Sequence, residues 1–281
     1  MSFSERMGFK EPKEIQKERM DEDLRWGIWN ILENCMVLIE DDYVGNPALK
    51  RAYKEFFRRP LNEIIDTNFV RLTGHDNNIK NAIFEKYKEL GWYEVYDFIE
   101  YCYLNESDQY KSNLTYEINE VLKQENSFYR IIEGQVAPIT NEYEKAEIEQ
   151  AIKKTEMVAL HSADEHLRTA LKYLSDRENP DYRNSIKESI SAVEAVANAI
   201  TGSSGTSLGK ALSQMEESIT IHPALNKGFQ KIYGYTSDSD GIRHALTEEP
   251  NCDFEDAQYM LVSCSAFINY LIKKAEKAGK F

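Results

Sequence analysis

Several features are scarce in this chain of 281 residues, and each scarcity excludes a class of protein. Only 7 prolines and 13 glycines occur, which excludes a collagenous or low-complexity chain. No run approaches the roughly 18 unbroken apolar residues of a membrane span. Residues 1–24 lack the apolar centre of a signal peptide. With 42% hydrophobic and 29% charged residues, the composition predicts a globular protein with no membrane partner.

Cysteine is also scarce, with four residues in all. Cys35, Cys102, Cys252 and Cys264 form no CxxC pair, so the sequence supports neither a zinc knuckle nor a thioredoxin-like site. We therefore predict no metal site and no cofactor. Without a signal peptide or a disulfide framework, the predicted location is the cytoplasm.

Positive charge is in deficit, with 34 Lys and Arg against 48 Asp and Glu and a net charge of −14. Residues 1–140 carry 18 basic and 26 acidic side chains, and residues 141–281 carry 16 and 22. A protein that coats nucleic acid needs many cations, because counterion release drives that binding. A general polyanion-coating role is therefore excluded, whereas a small local basic pocket is not.

Helical periodicity dominates the chain and predicts an all-α fold. In the first half, Leu24, Ile28, Ile31 and Leu32 follow helical spacing, and Gly91 is predicted to separate two aromatic-rich helices. The predicted first-half helices span 14–40, 48–58, 79–104 with its break, and 109–124. In the second half, Asp181 and Asp253 are predicted N-caps. The predicted second-half helices span 142–175, 181–201, a short one from Thr206, another from Pro223, and one from Asp253.

Two β-prone runs interrupt this pattern around Glu133-Gly134 and predict a short hairpin. We place the domain boundary there. The predicted organisation is a helical N-terminal domain (1–126), a connector hairpin (127–141) and a C-terminal helical bundle (142–281).

A polar cluster at Asp238, Asp240, Arg243 and His244 is the most informative candidate site. Histidine transfers protons near neutral pH, and arginine stabilises a pentacoordinate phosphate. Together they suit metal-free RNA cleavage, in which a base takes the ribose 2′-OH proton. The alternative is a structural salt-bridge network in which Asp238 or Asp240 holds Arg243, because such networks imitate catalytic sites.

A second cluster lies on the predicted 181–201 helix. Glu194 interrupts the apolar stretch SISAVEAVANAI, and a carboxylate beside a buried stripe needs a partner, for which Arg243 is a candidate. Arg183 and Lys187 are four residues apart and share a helix face. The alternative is a buried ion pair of Glu194 with no catalytic role.

Both ends of the chain are similar to known families. The opening FSERMGFKEPKEIQKERMDEDLRWGIWNIL (3–32) resembles the fourth class of AbiJ-type N-terminal domain, found in bacterial abortive-infection proteins. The stretches DRENPDYRNSIKESISAVEAVANAITG, TSLGKAL, HPAL, YGYTSDSDGIRHAL and DAQYMLVSCSAFINYL resemble HEPN-type helical domains. This resemblance implies a dimeric, metal-independent ribonuclease whose site contains an Arg, four to six residues and a His.

By that resemblance, His244 corresponds to the motif histidine. Arg243 adjoins it, and residues 237–239 contain no arginine, so Arg243 takes the motif's role only in an irregular loop. The implied site comprises His244, Arg243, Asp240 and Glu194 as catalytic residues, with Arg183 and Lys187 binding RNA.

Three functions follow as hypotheses. The first is an anti-phage endoribonuclease that cuts RNA such as tRNA as a homodimer, with a phage or host protein as trigger. The second is a non-catalytic module that binds RNA, a nucleotide or a protein. The third is a structural dimer whose N-terminal domain senses infection.

Overall fold

The computed structural model describes residues 3–9, 11, 13–38, 47–63, 77–176, 180–203, 208–237 and 252–281. Contacts within the chain group it into two compact units, Met1–Thr140 and Asn141–Phe281. The fold is mainly helical, as predicted. No helix among the described residues is long and apolar enough to cross a membrane.

The first unit contains helices and one hairpin. A π turn (Ala52–Phe56) and a 3₁₀ turn (Leu61–Glu63) follow its third helix. The other elements are α1 (Phe3–Arg6), α2 (Glu22–Leu38), α3 (Pro47–Arg51), α4 (Asn77–Glu89), α5 (Trp92–Asn105), α6 (Asp108–Gln124), β1 (Arg130–Ile132) and β2 (Gln135–Ala137).

The hairpin and the break at Gly91 confirm two predictions. Strands β1 and β2 pair antiparallel, with Ile131 opposite Val136. Glu133 and Gly134 both have positive φ, as a tight two-residue turn requires. Gly91 is the N-cap of α5, and its N–H donates to the Glu94 carboxylate at 2.7 Å.

The first long helix begins later than predicted. Helix α2 starts at Glu22 rather than residue 14, because residues before it pair elsewhere. Gln16 forms a bridge with Ser127, and its side chain accepts from the Asp21 N–H at 2.7 Å. The Asp21 carboxylate then accepts from the Leu24 N–H at 2.8 Å and caps the helix.

Aromatic rings fill the core of the first unit. Tyr87 and Phe98 are fully buried, and Trp29 packs on Tyr87 with ring centroids 4.8 Å apart. The hairpin packs on this core through Ile131, and Asn119 exchanges two hydrogen bonds with the Ile131 backbone. The hairpin residues are therefore grouped with the first unit.

The second unit is a helical bundle. Its helices are α7 (Glu142–Met157), α8 (His161–Ser175), α9 (Tyr182–Thr201), α10 (Leu208–Ser218), α11 (Pro223–Ser237) and α12 (Phe254–Lys277). Helix α9 is central and contacts α8, α10, α11 and α12. Its core side chains sit at the predicted positions and are buried, namely Ile186, Ile190, Val193, Ala197 and Ile200.

The predicted helix over 142–175 is two helices. The helix is interrupted at Ala159, which has φ 55° and is exposed rather than in the core. A continuous helix of that length would extend about 50 Å. The break instead lets α7 and α8 pack on each other.

Candidate functional site

Three of the predicted catalytic residues, Asp240, Arg243 and His244, lie outside the described residues. Asp238 lies outside them as well. The predicted site residues with a described position are Glu194, Arg183 and Lys187, and all three lie on α9. The geometry available for the site is therefore that of α9 and its neighbours.

The N-terminal end of α9 is fixed by its own sequence. The Asp181 side chain accepts from the Asn184 N–H at 2.9 Å, as an N-cap should. This cap confirms the predicted start of the helix. It sets the first turn, so Arg183 lies half-buried beside it and Lys187 lies exposed one turn later.

Arg183 lies near the residue that follows the undescribed segment 238–251. Burial raises the pKa of the Cys252 thiol, Asp256 raises it further, and Arg183 opposes both effects. Tyr182 meets Phe254 edge-on at 6.2 Å. The N-terminal ends of α9 and α12 therefore lie side by side, and Arg183 lies near Cys252, the first described residue after 238–251.

Glu194 is half-buried and has a backbone partner. Its carboxylate accepts from the Leu208 N–H at 3.1 Å, at the first residue of α10. A negative charge is favourable there, because the free N–H groups of a helix start carry partial positive charge. Among the described residues, Glu194 therefore acts as a cap for α10, and its predicted partner Arg243 lies outside them.

Glu194 and Arg183 do not converge. Eleven residues separate them, which is about 16 Å along the axis of α9. A phosphate held by Arg183 and Lys187 would therefore lie about two to three turns from Glu194.

A histidine–carboxylate pair, which the sequence pattern did not reveal, joins α8 to α9. His166 Nδ1 and Glu188 Oε2 are 2.6 Å apart, with side-chain exposures of 34% and 18%. In the sequence, His161 and His166 are five residues apart, a spacing that places them on different helix faces and indicates no shared site. No local sequence pattern could have predicted this contact, because it depends on how α8 packs on α9.

This pair has the geometry of a proton-transfer unit. A carboxylate on one ring nitrogen fixes the tautomer, and the other nitrogen can then accept or donate a proton. His166 Nε2 forms no hydrogen bond with the described part of the chain. Glu188 adjoins Lys187, so the pair lies beside an exposed cation on the same helix.

The first unit contains a group of three neighbouring carboxylates. Asp21, Asp23 and Glu125 lie close enough to share a cation. Lys13 already occupies that position, because its ammonium group donates to Asp21 at 2.9 Å, to Asp23 at 2.6 Å and to Glu125. This group is satisfied by the chain itself.

Comparison with known proteins supplies one match. Residues 1–154 match the family described as AbiJ N-terminal domain 4. The match covers more than half of the chain, including the first unit and most of α7. No match is found among curated proteins or among solved structures.

Proposed function

The chain belongs to the AbiJ N-terminal domain 4 family, and from this premise we propose that it is an anti-phage abortive-infection protein that cuts RNA. Family membership indicates the abortive-infection role, and it is the observation that carries the proposal. The proposed activity is that of a HEPN-type, metal-independent endoribonuclease in the second unit. The proposed substrate is RNA, with tRNA as the first candidate.

The proposed chemistry is a transesterification. A base takes the proton of the ribose 2′-OH, the 2′-oxygen attacks the adjacent phosphorus, and the 5′-oxygen leaves with a proton. The products are a 2′,3′-cyclic phosphate and a 5′-hydroxyl. We assign the proton transfer to His244 and stabilisation of the pentacoordinate phosphate to Arg243.

The remaining residues have supporting roles in this proposal. Asp240 belongs to the proposed catalytic group with His244 and Arg243, and Arg183 and Lys187 bind a substrate phosphate at the N-terminal end of α9. Glu194 orients the site through its cap on α10. The location of Arg183 near Cys252, directly after the segment with His244, supports its part in this arrangement.

We propose that the enzyme works as a homodimer, with a phage or host protein as trigger. Light scattering should then give twice the chain mass of 32.6 kDa. A mass of one chain would contradict a site shared between two copies.

A second function is favoured by a specific observation. Arg243 adjoins His244, whereas four to six residues separate the two in active HEPN-type sites. This spacing, with the net charge of −14, favours a non-catalytic module that binds RNA, a nucleotide or a protein. The two functions differ in whether RNA is cut.

The deciding experiment is cleavage of total RNA and tRNA in EDTA, with the product ends analysed for 2′,3′-cyclic phosphate. Wild type is compared with His244→Ala and with His161→Ala, an exposed histidine that serves as the matched control. Cleavage that His244→Ala abolishes and His161→Ala retains would support the nuclease. A folded dimer that leaves RNA intact would favour the binding module.

His166→Ala belongs in the same experiment. Cleavage that survives in His244→Ala but is lost in His166→Ala would move the proton transfer to the His166–Glu188 pair. Glu188→Gln should then lower the rate and shift the pH profile, because the ring would lose the carboxylate that fixes its tautomer.

A further inference from the structure

A short segment of the first unit is strongly basic although the protein is acidic. Residues 50–59, here called the basic segment, contain five cations and one carboxylate, Glu55. Four of the cations are exposed, namely Arg51, Lys54, Arg58 and Arg59. At the rise of a helix, ten residues extend about 15 Å, so these charges lie within a few nucleotide spacings of one another.

These exposed cations differ from five lysines of the first unit that have carboxylate partners. Lys13, Lys80, Lys86, Lys88 and Lys111 each form an ion pair with a nearby carboxylate. Within the described ranges, Arg51, Lys54, Arg58 and Arg59 form no such pair. The Arg51 guanidinium instead donates to the neutral Asn105 side chain at 3.4 Å. Arg59 is close enough to Glu89 to help lower the pKa of that carboxyl, but the two form no ion pair. The positive charge of the segment is therefore only partly neutralised by the described residues.

The backbone of the segment is irregular. A π turn covers Ala52–Phe56, and the Arg59 N–H donates to the Tyr53 carbonyl at 3.1 Å. Arg58 follows the turn with φ 52°, a left-handed conformation that costs a non-glycine residue about 1 kcal/mol or more. The cation at position 58 is therefore present despite a backbone that favours glycine.

The apolar side chains of the segment face inward. Phe56 packs on Phe98 with ring centroids 4.7 Å apart, and Phe57 packs on the same ring at 5.3 Å. Within the basic segment, no large apolar side chain is among the exposed ones. Binding to a bilayer normally combines cations with exposed apolar side chains that insert. This surface thus fits a phosphodiester backbone better than a lipid surface.

We propose that the basic segment is an RNA-binding surface of the first unit that holds the phosphate backbone without reading its sequence. The choice of RNA rests on the proposed function, whereas the charge argument does not. Because the net charge of the whole chain is −14, a polyanion is favoured to contact local basic surfaces such as this segment. Glu55 is the one carboxylate within the segment, and the Tyr101 hydroxyl donates to it at 3.4 Å.

The test measures binding separately from cleavage. The probe is a fluorescent 20-nucleotide 2′-O-methyl RNA, which has no 2′-OH and cannot undergo transesterification. The test variant replaces Lys54, Arg58 and Arg59 with Gln. The matched control replaces Lys80, Lys111 and Lys145, three cations that are each paired with a carboxylate.

We expect the test variant to bind roughly 10- to 100-fold more weakly at 0.1 M salt. The salt slope should fall by about 2, at roughly 0.7 for each lost phosphate contact with a single strand. The control should bind like wild type, and Glu55→Gln should bind more tightly. Equal loss in test and control variants would overturn the proposal, because it would reflect net charge alone.

Two further measurements remove the remaining alternatives. Arg58→Gly removes a cation and relieves the left-handed backbone, so it should weaken binding while unfolding no more easily than wild type. Vesicles with anionic lipid should not bind, and segment-dependent binding to vesicles but not to RNA would overturn the proposal. If the protein does not cut RNA, its binding of the 2′-O-methyl probe is still expected. Failure of the proposed nuclease function and failure of the proposed RNA-binding surface are therefore distinguishable.

Discussion

The two units build their cores from different side chains. The first unit uses large rings, with Trp29, Tyr87, Tyr96 and Phe98 all buried, and its elements include a π turn and a hairpin. The core of the second unit is mostly aliphatic, with residues such as Ile152, Leu167, Ile190 and Leu261 at regular helical spacing. Each aromatic side chain buries a large apolar area, whereas an aliphatic core divides its buried area among many smaller side chains. Single substitutions should therefore affect the two units differently.

The tryptophans allow the two units to be followed separately. Trp26, Trp29 and Trp92 all lie in the first unit, and residues 141–281 contain none. Tryptophan fluorescence during urea unfolding thus reports the first unit, whereas far-UV circular dichroism reports both.

The largest effect is expected for Phe98→Ala in the first unit. Phe98 is fully buried and contacts the rings of Phe56, Phe57, Tyr87 and Tyr101. We expect a loss of about 3–5 kcal/mol in the free energy of unfolding, seen in the fluorescence transition. The exposed control Tyr93→Ala should have little effect, and a loss below about 1 kcal/mol for Phe98→Ala would contradict this account of the core.

A smaller loss is expected for Asn119→Ala, which releases the hairpin. The Asn119 side chain donates to the Ile131 carbonyl at 2.9 Å and accepts from the Ile131 N–H at 2.8 Å. Both backbone groups would be left buried without a partner, at a cost of about 2–4 kcal/mol for the two. Asn113→Ala, on the exposed side of α6, is the control, and equal losses would show that the hairpin bonds add nothing.

Ile190→Val in the second unit should cost about 1 kcal/mol, because one buried methyl group is lost at the centre of α9. Circular dichroism should show the loss, while the tryptophan transition should stay unchanged. A shift of the fluorescence midpoint in this variant would mean that the two units do not unfold independently.

The smallest effect is expected at the surface of the first unit. The Lys111 ammonium donates to Asp108 at 2.9 Å and holds the pKa of that carboxyl below its ordinary value. A lowered folded-state pKa favours folding above the unfolded-state pKa, and this gain is lost as the pH falls through the folded-state value. NMR titration should show the low pKa, and Lys111→Gln should return it to the ordinary range without a measurable change in the urea midpoint.

Local sequence signals predicted much of the fold. Asp181, Asp253 and Gly91 mark helix starts, and the Glu133-Gly134 turn marks the hairpin, because capping and turn geometry depend on a few adjacent residues. The regular apolar spacing of α9 and α12 likewise predicted their buried faces. For the candidate site, spacing placed Arg183, Lys187 and Glu194 on one helix but did not predict a contact such as that of Glu194 with the Leu208 N–H.

Tertiary structure decided what the spacing left open. Gln16 leaves a helical pattern because Ser127 pairs with it, and the break at Ala159 lets α7 pack on α8. Only packing brings His166 to Glu188, because the two residues lie on different helices. Sequence by itself thus determined the helices, their caps and their apolar faces, which short-range geometry controls. Contacts between distant residues depend on how those faces meet, and only the folded chain fixes that.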